Sequence, residues 1–168
     1  MARLSQRLDP TAALLRAYSA SARINQYLVE HLDPAVWRAR VEGGHGEKLR
    51  TVAALVAHLH NCGLRYLERT DRTARVPAEL DRFRVTPAQA VRALGAKRRA
   101  VQRVVTAALA DGRRITGFPY DAATFLLYYL AHDSHHRGQI VMLARLLGHP
   151  VSQKTMIGMW QWKRRAAE

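Results

Sequence analysis

The chain is poor in cysteine, acidic residues and long apolar runs. Cys62 is the only cysteine in 168 residues, so no intramolecular disulfide can form and no four-cysteine zinc site can be built. A single thiol suits a reducing cytoplasm, which is the expected compartment. No stretch approaches the roughly eighteen apolar residues of a membrane span, and Arg3, Arg7, Asp9 and Arg16 interrupt the region where a signal peptide would need its apolar run. Neither secretion nor membrane spanning is expected. The thirteen Asp and Glu face twenty-seven Lys and Arg, for a formal charge of +14 and a pI near 11.1. Such a balance invites an acidic partner such as nucleic acid. However, the basic residues are spread along the chain, with only local clusters at Lys97-Arg98-Arg99 and Lys163-Arg164-Arg165. With no recognition helix, zinc finger or aromatic-basic platform, a solvated cationic surface accounts for the charge, and a nucleic-acid partner is not expected.

Strand alternation, internal repeats and low-complexity tracts are also missing. What is present is helical periodicity with 48% hydrophobic and 24% charged residues, enough for one domain over residues 1–168 with a real core. A first helix is expected over about Thr11–His31, stopped by Asp33-Pro34. A loop with Gly43, Gly44 and Gly46 follows, in which His45 should be exposed and unremarkable. The second helix is read over about Leu49–Arg69. Its inner face carries Val52, Leu55, His58, Leu59, Cys62 and Tyr66, and His60, turned by about 200°, should face away. Residues 70–85, with Pro77, form a connection. Thr86-Pro87-Ala88-Gln89 then has the residues of a capped helix start, for a third helix to about Ala110 with Lys97, Arg98, Arg99 and Arg103 mostly on its wet side. The fourth helix runs from Asp121 to Leu147, ended by Gly148 and Pro150. In the tail, Trp160 and Trp162 should bury against one end of the bundle or a dimer seam. The expected fold is an all-α four-helix bundle with this short C-terminal tail packed on it.

The chemistry gathers in the fourth helix. Phe125, Tyr129, His132, His136, Ile140, Leu143 and Leu147 form one stripe, with two histidines at its centre. Residues four apart on a helix lie one above the other, so His132 and His136 can present ring nitrogens to one divalent ion. The alternative is a pair of core histidines, which needs two sets of hydrogen-bond partners and two neutral rings. An inward His58 on the second helix could meet them across a bundle core. Gln139, three residues after His136, and Asn61, three after His58, are candidates to orient an imidazole or a bound water. Tyr128, one turn before His132, is a candidate proton donor, with packing as the plainer role. Arg65 could meet an anionic substrate group, with a surface ion pair as its default. The spacing of His132-Asp133-Ser134-His135-His136 also matches the zincin motif with Asp in place of the glutamate base. No third downstream ligand appears at the zincin positions, so a metalloprotease is not expected. His135 lies off the stripe, toward solvent or a neighbouring subunit.

Val52-Ala53-Ala54-Leu55-Val56-Ala57-His58-Leu59 together with His132-Asp133-Ser134-His135-His136-Arg137-Gly138-Gln139 resembles the DinB/YfiT-like superfamily of metal-binding four-helix bundles. The likeness covers nearly the whole chain, including the returning tail Gly158-Met159-Trp160-Gln161-Trp162. It implies a metal triad of His58, His132 and His136 holding a divalent ion, zinc or nickel foremost, with positions open for water or substrate. It further implies a homodimer, a low-molecular-weight thiol as co-substrate in a transferase or isomerase, and for some members a stress-inducible expression pattern. An open three-histidine site can favour thiolate or hydroxide at neutral pH. A non-catalytic metal-binding bundle and a basic nucleic-acid-associated protein are the alternatives.

Overall fold

The computed structural model describes residues 8–43 and 49–168, and all regular structure among them is helical. His45 therefore lies outside the described residues. Helix α1 spans Pro10–Glu30. It starts where Asp9 accepts the Ala12 N–H at 3.1 Å and proline fills the first position. After a 3-10 turn at Pro34–Val36 come α2 (Val52–Asn61) and α3 (Leu64–Thr70), then α4 (Pro87–Ala110) and α5 (Ala122–Leu146). Two short helices, α6 (Gln153–Met159) and α7 (Trp162–Ala167), complete the chain. Thr86 and Gln89 make the full capping box on α4, and Asp121 caps α5 through the Thr124 N–H at 2.8 Å. No helix of the described residues is long and apolar enough to cross a membrane.

The expected second helix is two helices. Cys62 leaves helical geometry with ψ 124° and Gly63 turns to φ +84°, a conformation that costs a residue with a Cβ about 1–2 kcal/mol. Tyr129 of α5 occupies the space beside the break, where its hydroxyl donates to the Cys62 carbonyl at 3.2 Å. A Cβ at Gly63 would stand 1.8 Å from that hydroxyl oxygen. Glycine is thus required here on two independent grounds, conformation and space.

The break also explains a lysine that periodicity misplaces. A helix that ends at Asn61 leaves its last carbonyls without intrahelical partners. Lys97 of α4, expected on the wet side, is instead 3% exposed, donates to the Leu59 carbonyl and holds its ammonium 4.4 Å from the Tyr129 ring centroid. Burial pushes its pKa down, against the pull of Asp133. Lys97→Ala should lose about 1–3 kcal/mol of folding free energy through the orphaned carbonyl, seen as a lower denaturant midpoint.

His60 points away from His58's partners and is fully covered there. Its Nε2 lies 2.9 Å from the Ala78 carbonyl. The connection between α3 and α4 folds back over α2 and supplies this cover. The tail packs on α1 through residues other than the tryptophans. Arg165 is 2% exposed and sits 4.1 Å above the Tyr27 ring, and Met159 is buried. Trp160 is 76% exposed, so it does not close an end of its own bundle, and Trp162 is only partly covered.

Two apolar clusters fill the interior. One joins Leu28, Val52, Val56, Leu59, Ile140 and Leu143; the other joins Tyr18, Leu64, Leu67, Val101, Phe125 and Tyr129. On α5 the change from one cluster to the other falls between Tyr129 and Ile140. His132 and His136 lie within that interval.

Candidate metal centre

His58 stands in the last turn of α2, while His132 and His136 occupy successive turns of α5. Their ligand atoms all lie within 4.8 Å of one another, and the Nε2 atoms of His58 and His132 are 3.3 Å apart. Two donors bound to zinc at about 2.0–2.1 Å in tetrahedral geometry are separated by roughly 3.3 Å, so this edge has the dimension an ion needs. Ring centroids stand 5.2 Å (58–132), 4.6 Å (58–136) and 4.5 Å (132–136) apart.

The outer nitrogens of the two α5 rings are held. His136 Nδ1 donates to Gln139 Oε1 at 2.7 Å, which leaves Nε2 with its lone pair. The Gln139 amide nitrogen in turn donates to His135 Nε2 at 3.1 Å, so His135 supports the support rather than joining the triad. His132 Nδ1 faces Asp133 Oδ1 at 3.3 Å. Asp133, 4% exposed, is fixed by Asn25 of α1, whose amide donates to Oδ2 at 2.7 Å. Arg137 completes the chain by donating to Asn25 Oδ1 at 2.7 Å. Motif reading passes over Asn25 and meets Asp133 only as the residue in the glutamate position of the zincin spacing, whereas here it faces the His132 ring. The available signal is Asn25 itself, a polar residue between Ile24 and Leu28 on an apolar helix face. With its orienting acceptor removed, Gln139→Ala should bind zinc about tenfold more weakly, measured by chelator competition.

Asn61 and Arg65 fall outside this arrangement, and Tyr128 lies beside it. Asn61 spends its amide on the Leu80 backbone, donating to the carbonyl at 2.9 Å and accepting the N–H at 2.8 Å, and makes no hydrogen bond to a histidine. Arg65 makes an exposed 3.9 Å ion pair with Glu79. Tyr128 places its ring 5.7 Å from that of His132 and its hydroxyl 3.8 Å from Cys62 Sγ.

Electrostatics set the rings apart. Burial, together with the charges of its neighbouring imidazoles, brings His58 down to about 4, so this ring is neutral at pH 7. His132 is raised to about 9, first by Asp133 and then by Cys62. His136 is lowered by burial against the opposing pull of Gln139. Burial pushes the Cys62 thiol up, but His132 and Tyr128 outweigh it and the net shift is down. Burial and the Cys62 contact raise Tyr128 to about 12.

A cavity of about 700 Å³ reaches His58 and His136 from outside, so the triad has an approach route. Three imidazole donors, oriented from behind and reachable from one side, suit a borderline divalent ion such as zinc or nickel. The DinB family matches the sequence over residues 5–166. The chain belongs to the DinB family. No curated protein and no solved structure matches it. The DinB match covers every element that builds the centre, from Asn25 on α1 through Gln139 on α5.

Proposed function

We propose that this DinB-family protein holds a divalent ion, zinc or nickel, on His58, His132 and His136 in a single four-helix-bundle domain formed by α1, α2–α3, α4 and α5. In this reading it is a cytoplasmic, metal-dependent S-transferase acting with a low-molecular-weight thiol. The observation that carries the reading is the convergence of three ligand atoms within 4.8 Å. A bound ion supplies Lewis acidity that favours thiolate, or hydroxide, at neutral pH. Asp133 and Gln139 keep the His132 and His136 rings turned to the centre, and the cavity admits the reactants. In the transfer, the thiol sulfur forms a bond to an electrophilic carbon, the leaving group departs with its electron pair, and the thiol proton passes to solvent. A homodimer belongs to the same reading. Support comes from the exposed apolar side chains Ile157 and Trp160, which a partner copy would cover.

The test is metal analysis of protein purified without a histidine tag and reconstituted with zinc or nickel. A thiol-plus-electrophile screen read by mass spectrometry of the thioether follows. Failure to hold a stoichiometric ion refutes the metal centre. An ion held without turnover of any thiol or ester leaves the non-catalytic metal-binding bundle.

A further inference from the structure

The cavity that reaches the histidines has a marked chemical bias. Leu55, Met142 and Leu146 are among its walls, and Arg50 is the one charged side chain among its described lining residues. Among the described residues, Arg50 has no hydrogen-bond or ion-pair partner. The other polar liner besides the histidines, Gln139, is already committed on both sides, to His136 and His135. A sugar or a polar peptide would therefore leave its hydroxyls or amides unpaired on entering, at a cost for each. A guanidinium beside an apolar slot instead suits a planar carboxylate joined to a hydrocarbon body.

We propose that this cavity binds a small monoanionic carboxylate with an apolar body, its anion on Arg50 and its chain along Leu55, Met142 and Leu146. Placing this molecule as the co-substrate of the thiol rests on the metal-centre reading above; its binding does not.

Octanoate, octanol and zinc are the probes, titrated calorimetrically into ion-free and zinc-loaded protein. Octanoate should bind the ion-free protein roughly two- to fivefold more tightly than octanol, the worth of one contact to an exposed guanidinium. Arg50→Gln should remove that preference while leaving zinc stoichiometry unchanged. Gly138→Leu locates the ligand. A Cβ there meets no heavy atom within 4 Å, so the variant should fold with unchanged circular dichroism while its side chain obstructs the cavity and abolishes octanoate binding. Equal affinity for octanoate and octanol, or an Arg50→Gln variant that binds octanoate normally, overturns the proposal. So does octanoate binding confined to the zinc-loaded protein, since the carboxylate would then sit on the ion. Absence of zinc binding refutes the metal centre alone, because the ion-free titrations still decide the role of Arg50.

Discussion

His132→Ala should lose zinc affinity by more than about 100-fold, a larger effect than disturbing a residue that only orients a ligand. Its ring contributes the Nε2 that lies 3.3 Å from His58 Nε2, and Asp133 fixes it from behind. Among the described residues the nearest other imidazoles are already committed, since His135 is engaged by Gln139 and His60 is under Ala78. His58→Ala should match it, with helicity retained in both because both rings are only partly buried. A chromophoric chelator in competition reads the loss; tight zinc binding by either variant would remove that ring from the centre.

The same centre predicts a pH dependence of known sign. His132, raised to about 9, carries a proton at pH 7 in the ion-free protein, whereas His58, at about 4, does not. Zinc must displace the His132 proton, so uptake at pH 7 should release close to one proton. Apparent affinity should rise roughly tenfold per pH unit and level off above about 9. Calorimetry in buffers of different ionisation enthalpy measures the proton count.

The second large effect is expected at Gly63→Ala. Left-handed geometry costs about 1–2 kcal/mol, and forcing atoms into an occupied site adds about 1–3. A total of about 2–5 kcal/mol corresponds to a fall in Tm of roughly 5–15 °C for a chain of this size. Gly112→Ala separates the two causes. Its φ is +63°, but a Cβ there meets nothing within 4 Å, so it should show the conformational cost alone. Equal losses for the two variants would mean that the Tyr129 hydroxyl does not crowd Gly63.

Local chemistry made much of this legible. Thr86, Gln89 and Asp121 announce helix starts because caps are short-range, and four-residue spacing places His132 and His136 together without tertiary information. Features that depend on neighbouring segments were harder to read. Gly63 sits in an apolar helical pattern, and the pattern holds no sign of the tyrosine sixty-six positions later that requires a break. Lys97 reads as a surface residue because the carbonyl it satisfies exists only once α2 has ended early. His60 reads only as facing away from the inner stripe, because its cover comes from an irregular connection. Trp160 shows the converse, since bulk and apolarity alone do not supply something to pack against within the same chain.

Because α2 stops three residues beyond His58, that ring hangs from a short helical segment, while its two counterparts ride on a helix of twenty-five residues. An ion gripped by all three would pin the short piece to the long one across the boundary between the two apolar regions. Folding free energy would then depend on ion supply by mass action, gaining about 2.7 kcal/mol when free ion stands a hundredfold above its dissociation constant. A cell starved of that ion would hold a protein that is easier to unfold.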